Sequence, residues 1–89
     1  MSVTLKIEPI LTQYTEGHEK LEIQSAETVQ ECCDIFFKTF PLIHPRLHDI
    51  DNSPLYWVLL NRDLLTPHDM DKKVSDGDVI ELLMMFAGG

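Results

Sequence analysis

Near its end the chain reads Val-Ile-Glu-Leu-Leu-Met-Met-Phe-Ala-Gly-Gly at positions 79–89, and this stretch decides the fold. Before the alanine only Glu81 is polar, which is typical of a central strand that is apolar on both faces. The three residues at 87–89 then have almost no side chain. No residue stands after them, so the glycines neither cap a helix nor turn a hairpin. We therefore expect residues 1–86 to form one domain and 87–89 to form a flexible tail.

The tail residues Ala87, Gly88 and Gly89 have a small cross-section and, when extended, would reach well beyond the domain. Three or four extended residues span on the order of 10–14 Å. That length could thread a terminal carboxylate into a narrow catalytic cleft which a β-carbon would block. A frayed end or a processing remnant would have the same composition. We expect the carboxylate of Gly89 to be the functional group.

A turn signal precedes the apolar run, at Ser75-Asp76-Gly77-Asp78. The Asp-Gly-Asp turn, the hydrophobic strand and Gly88-Gly89 together resemble the end of the small sulfur-carrier proteins of the ubiquitin-like superfamily. These include the small subunit of molybdopterin synthase and the thiamin-biosynthesis sulfur carrier. That family often has two prolines where this chain has Met84 and Met85, so the start of the tail should be less stiff.

The resemblance implies a chemistry for the terminal carboxylate, which is ionised and a poor electrophile at neutral pH. An ATP-dependent partner enzyme would adenylate Gly89, and a sulfur donor would displace AMP to leave a thiocarboxylate. An acceptor synthase, such as the large subunit of a molybdopterin synthase, would then insert this sulfur into a pterin, a thiazole or another acceptor. Chain length favours a molybdopterin-like carrier over the usually shorter thiamin-like one.

Two other functions stay open. As a protein modifier, Gly89 would form an isopeptide bond with a lysine of a target protein. As a plain interaction module, the tail would be inert. The sequence has no Walker loop, no His-Glu-x-x-His and no Gly-x-Ser-x-Gly motif, so we expect a non-catalytic protein that acts with partner enzymes.

Composition limits the partners. The 89 residues suffice for one domain, and the net charge of -8 argues against nucleic acid and anionic membranes. Lys6 and Glu8 interrupt any signal peptide, and no run is long enough for a membrane span, so we expect a cytoplasmic protein. Six acids in the last third favour a partner with a basic groove near the expected docking end: Asp63, Asp69, Asp71, Asp76, Asp78 and Glu81.

Alternating and helical periodicities predict the first half of the fold. Residues 3–8 alternate, with Val3, Leu5 and Ile7 inward, and residues 21–23 form a second strand of a hairpin after a long connection. Thr28-Val29-Gln30-Glu31 matches a capping box and opens a helix that Pro41 ends. The helix has an apolar stripe: Val29, Cys32, Cys33, Phe36, Phe37 and Phe40.

Neither the cysteines nor the histidines suggest a site. Cys32 and Cys33 belong to the buried stripe, and we expect reduced core thiols rather than nucleophiles. His44 and His48 have a spacing that could hold a metal on one helical face, but Pro45 argues against a regular helix. We expect exposed loop histidines, no metal and no bound cofactor.

The second half supplies the remaining strands. Residues 56–60 form a third strand, apolar on both faces, and 61–63 turn the chain into a short strand at 64–65. A short helical or turn segment follows at 67–73. This order indicates an α+β fold of the β-grasp (ubiquitin-like) type, with a mixed sheet of four to five strands wrapped on one main helix. The resemblance implies that the first and last strands pair in parallel at the centre.

A docking surface should lie on the sheet face turned away from the helix. Glu81 marks that face in the last strand, so Ile80, Leu82 and Met84 should point to the helix. In the third strand either Trp57 and Leu59 or their neighbours face outward. Dimerisation, or a covering loop from 41–54, would also bury such a face. The expected partner-binding residues are Trp57, Leu59, Leu83, Met85 and Phe86.

Overall fold

Five strands and one α-helix form the core of the computed structural model, which describes residues 1–85. The sheet has the order β2-β1-β5-β3-β4. β1 and β5 are parallel and the other neighbours are antiparallel. This is the predicted β-grasp fold, including the central parallel pair. The elements are β1 (Val3–Ile7), β2 (Lys20–Ile23), α1 (Val29–Thr39), β3 (Tyr56–Leu60), β4 (Asp63–Leu65) and β5 (Val79–Met84).

The central pair of strands carries the core. Leu5 lies opposite Ile80 and Ile7 lies opposite Leu82 in the parallel register. All four side chains are buried, as the alternation in β1 and the assignment of faces in β5 predict. The first and last strands therefore hold each other at the middle of the sheet.

The helix α1 covers the inner face of this sheet. Thr28 is the predicted N-cap, and its hydroxyl accepts from the Glu31 amide at 3.2 Å. The Glu31 carboxylate accepts from that hydroxyl at 3.3 Å, instead of from the Thr28 backbone N–H as in a full capping box. Cys32, Cys33 and Phe36 of the predicted stripe are buried against the sheet. The helix ends at Thr39, just before the proline predicted to stop it.

Two short 3-10 helices, Pro9–Tyr14 and Pro41–Arg46, replace segments predicted as loops, and a third, Pro67–Asp69, lies where a short helical or turn segment is predicted. A proline opens each one, where its missing N–H has no helical partner to lose. Leu11, Ile43 and Leu47 are buried there, so the connections help to close the core. Within residues 1–85, every helix is too short or too polar to span a membrane.

The β3–β4 hairpin turn fixes where β5 begins. Asn61 and Arg62 both have positive φ, at 50° and 75°, which suits a two-residue hairpin turn. The Asn61 amide group donates to Asp78 at 3.0 Å and accepts from the Val79 N–H at 2.9 Å. This predicted turn therefore also anchors the start of the central strand.

The two faces of β5 should respond differently to the same substitution. Leu82 is fully buried under α1, whereas Leu83 is partly exposed. Leu82→Asp places an unpaired charge in the core and should cost on the order of 5 kcal/mol, enough to unfold a domain of this size. Leu83→Asp should lower Tm by less than about 8 °C. Thermal unfolding followed by circular dichroism tests this, and equal destabilisation would contradict the assignment of faces.

The two thiols should be unreactive in the folded protein. Burial raises the pKa of Cys32 to about 11 and that of Cys33 to about 12, and the Glu31 carboxylate adds to the shift at Cys32. At pH 8 their reaction with Ellman's reagent should be more than about 100-fold slower than in guanidinium chloride. A control, Ser25→Cys, adds an exposed thiol that should react at once. Fast reaction of the native thiols would show that this core opens readily.

Candidate functional site

Two parts of the chain carry its candidate function: the tail and the outer face of the sheet. Phe86, Ala87, Gly88 and Gly89 lie outside the described residues. Their predicted roles therefore stay predictions, and the geometry that bears on them is that of Met84 and Met85.

Hydrogen bonds from both neighbouring segments hold the chain up to Met85. The Met84 N–H donates to the Glu8 carboxylate at 2.7 Å. The next amide, that of Met85, donates to the Leu55 carbonyl at 3.0 Å. Sequence reasoning missed Glu8, because its role depends on the register between β1 and β5. The sequence signal that could have identified Glu8 is an acidic residue directly after a strand and before a proline.

The outer face of β3 and β5 is largely apolar, and Glu81 is a charged residue within it. Trp57 lies directly opposite Leu83, and Leu59 lies opposite Glu81. Val58, between them in β3, is buried on the helix side. The structure thus resolves the alternative left open by the sequence: Trp57 and Leu59 face outward.

Leu64 extends this surface onto the edge strand. It pairs with Leu59 and is 60% exposed, while Trp57 is 45% exposed. The outward position of Leu64 could not be predicted from the sequence, because a strand of three residues is too short for alternation to assign its faces. We use the name outer patch for Trp57, Leu59, Leu64, Leu83 and Met85.

A groove of about 380 Å³ opens at one side of the outer patch, where β4 leaves β3. Its wall is largely apolar and includes Trp57, Leu64 and Met85 from the patch. The patch is therefore bordered by a concave site beside the last described residue of the chain. The other lining residues are Gln30, Pro54, Tyr56, Val58, Leu65, Thr66, Pro67 and Met70.

The other half of the outer face is polar. Glu22 accepts hydrogen bonds from the hydroxyls of Ser2 and Thr4, both at 2.8 Å. These bonds lower the pKa of the Glu22 carboxyl. Lys6 and Lys20 stand opposite each other on the same strands. The outer face is thus divided between a polar hairpin and an apolar half that leads to Met85.

The predicted clustering of acids near the docking end is wrong for three of them. Asp63 lies in the turn region at the start of β5, and Asp76 and Asp78 lie in the turn before it. A strand rises about 3.3 Å per residue, which puts Asp78 about 20 Å from Met84. Neighbours in sequence are separated here because β5 runs the length of the sheet. Asp76 and Asp78 also serve the fold, accepting from the Ser2 and Ser75 amides at 2.7 Å each.

The prediction of exposed loop histidines is wrong. The rings of His44 and His48 are half-buried and stacked, with centroids 3.8 Å apart, and both contact Phe37. His48 Nδ1 donates to the His44 carbonyl at 2.8 Å, so this pair packs the 3-10 helix onto α1. Among residues 1–85, no group of three or more His, Cys, Asp or Glu side chains is placed to hold a metal ion. The absence of a bound metal or cofactor stays a prediction.

Comparison with known proteins supports the fold and identifies the family. The model of the ThiS family matches residues 10–89. No curated protein matched the sequence at a significant level. Solved structures matched over nearly the whole chain.

Three of these structures illustrate the similarity. SAMP1 from Haloferax volcanii has a TM-score of 0.80 at 19% identity, covering 100% of both chains. A chain of the Amycolatopsis orientalis BexX/CysO complex has a TM-score of 0.75 at 28% identity, covering 98% of this chain and 99% of that one. A chain from the complex of subunits 1 and 2 of the molybdopterin-converting factor of Helicobacter pylori has a TM-score of 0.67 at 21% identity, covering 100% of both chains.

The chain shares with these structures a mixed sheet of five strands around one main helix. That architecture is the ubiquitin-like β-grasp fold. Since the family model spans all but the first strand and its flanking residues, the chain belongs to the ThiS family.

Proposed function

We propose that this chain is a sulfur-carrier protein whose active group is the Gly89 carboxylate. The observation that carries the proposal is the position of the outer patch, which ends at Met85, four residues before Gly89. An enzyme that docks on the patch would have the tail within reach of its catalytic cleft. Family membership supports the same function.

The proposed chemistry takes two steps on partner enzymes. A carboxylate oxygen of Gly89 attacks the α-phosphorus of ATP, pyrophosphate leaves, and an acyl-adenylate forms. A sulfur donor then releases sulfide, HS⁻ attacks the acyl carbon, the bond from that carbon to the AMP oxygen breaks, and a thiocarboxylate and AMP remain. The buried thiols of Cys32 and Cys33 are held protonated and out of solvent, so they are poorly suited to carry that sulfur.

The acceptor synthase would use the sulfur in cofactor biosynthesis, and we favour a molybdopterin-like over a thiamin-like pathway. Chain length supports this choice. The similarity to subunit 1 of a molybdopterin-converting factor concerns the fold alone. The chain would act in the cytoplasm as a non-catalytic carrier without a bound cofactor, away from nucleic acid and membranes. Residues 87–89 would be its flexible tail.

The outer patch would be the docking surface for these enzymes. Trp57, Leu59, Leu83 and Met85 present large apolar side chains that are partly exposed among residues 1–85. Burying one such side chain contributes about 1.5–3 kcal/mol, and contiguous apolar patches commonly mark partner sites. Phe86, the next residue, would extend the same contact.

A protein modifier is the second candidate, because the same activated carboxylate could form an isopeptide bond with a target lysine. The structures similar to this chain include small archaeal modifier protein 1, a likeness that concerns the fold. Mass spectrometry separates the two functions. A thiocarboxylate at Gly89 supports the carrier, and Gly-Gly remnants on lysines of other proteins support the modifier.

Removing the end of the tail should abolish function and spare the fold. Deleting Gly88 and Gly89 should leave thermal unfolding nearly unchanged, because terminal residues of this kind bury little area. ATP–pyrophosphate exchange by the enzyme that adenylates this carrier in the same organism should fall to background. Adding one alanine after Gly89 should have the same effect, since it moves the carboxylate by about 3.5 Å. A truncated chain that still accepted AMP or sulfur would refute the proposal.

A charge in the outer patch should weaken docking without unfolding the protein. Leu83→Asp would bury an unpaired carboxylate opposite Trp57 at the interface, so Kd for the same adenylating enzyme should rise about 30- to 1000-fold. Gln24→Asp, at an exposed position after β2, adds the same charge away from the patch and is the control. Isothermal titration calorimetry measures both. Equal affinities for the two variants would remove the patch from the docking model.

A further inference from the structure

The end of β5 projects beyond the strand that supports it. The last backbone pair of the parallel ladder joins Ile7 to Leu82. Glu8 comes next, and Pro9 then opens a 3-10 helix that turns the chain away from β5. The Met84 amide therefore lies past the end of its backbone partner strand.

The Glu8 side chain takes the place of the missing backbone acceptor. Its Oε1 accepts from the Met84 N–H at 2.7 Å, a contact between residues at opposite ends of the sequence. The bond is partly buried, as is Glu8 itself. Hydrogen bonds to an ionised carboxylate are short and about twice as strong as neutral ones.

The adjacent amide is held from the other side of the strand. Met85 N–H donates to the Leu55 carbonyl at 3.0 Å, on the side of β3. Two consecutive amides are thus fixed in opposite directions, one by the residue after β1 and one by the residue before β3. Together they determine the direction in which the chain leaves the sheet.

We propose that Glu8 is a positioning residue for the tail: by holding the Met84 amide, it fixes the direction in which the last residues leave the sheet towards the adenylating enzyme. This inference rests on the proposed function. Without the carboxylate, Met84 and Met85 are held from the β3 side alone, by the Leu55 carbonyl and the pairing with Tyr56, and part of their order must be restored on binding. Ordering one backbone residue costs roughly a 5- to 30-fold change in an equilibrium.

Amide hydrogen exchange tests the clamp independently of any enzyme. In Glu8→Ala the Met84 amide should exchange at least about tenfold faster than in the wild type, while the Leu82 amide in the same strand keeps its rate. Glu8→Gln retains an acceptor oxygen and should restore most of the protection. Glu22→Ala removes a carboxylate that also accepts two hydrogen bonds on this sheet, far from Met84, and is the matched control. Unchanged Met84 exchange in Glu8→Ala would overturn the clamp.

Adenylation kinetics test the positioning role. With the enzyme that adenylates this carrier in the same organism, Glu8→Ala should raise KM for the carrier about 5- to 30-fold and leave kcat nearly unchanged, because the bound tail reaches the same state. Glu8→Gln should recover most of the affinity, and Glu22→Ala should behave as the wild type.

The remaining outcomes separate failure of the positioning role from failure of the proposed function. Faster Met84 exchange with an unchanged KM would overturn the positioning role. A Glu8→Gln variant as impaired as Glu8→Ala would assign the effect to the charge, through a contact with the enzyme, and would also overturn it. If the wild type itself is not adenylated, the proposed function fails, whereas the exchange experiment still decides whether Glu8 holds the chain.

Discussion

The parallel pairing of β1 with β5 is the interaction on which the rest of this structure depends. It joins the two ends of the sequence at the centre of the sheet, where Leu5 and Ile80 are fully buried opposite each other. Each remaining element then has only an outer position to occupy: β2 beside β1, β3 and β4 beside β5, and α1 across the inner face. The chain's last strand is consequently one of its best-supported elements. A tail that follows such a strand starts from a rigid base.

The two faces of the sheet meet different demands. The inner face is covered by α1 and has the uniform apolar character of a core. On the outer face, the hairpin β1–β2 satisfies its own polar groups, as the bonds of Glu22 show. The outer patch has no comparable cover within residues 1–85, and Trp57 and Leu64 remain about half exposed. In so small a domain, leaving this much apolar surface uncovered makes sense if a partner covers it.

Local patterns in the sequence predict most of the fold, and the errors arise where geometry is long-range. Alternation in β1, the cap at Thr28 and the apolar run of β5 are each properties of a few consecutive residues, and all three predictions are confirmed. The 3-10 helices Pro9–Tyr14 and Pro41–Arg46 lack a period long enough to detect, and their prolines are more typical of loops. The outward residues of β3 could not be assigned because every residue in that strand is apolar. The register with Glu81 supplies that information, and only the folded sheet contains it.

At Met84 and Met85, where the tail begins, a hydrogen bond to a residue distant in sequence can replace the local stiffness of prolines. Two prolines, frequent in the resembling family at these positions, would stiffen the backbone by fixing φ but could not donate a hydrogen bond. Met84 and Met85 leave φ unrestricted by a ring, and both of their amides are donors. The expected loss of stiffness is therefore offset by the Glu8 carboxylate on one side and the Leu55 carbonyl on the other. A proline at position 84 has no N–H, so it would leave the Glu8 carboxylate without its hydrogen-bond donor. The Met84 amide and the Glu8 carboxylate therefore depend on each other across β5 and the end of β1.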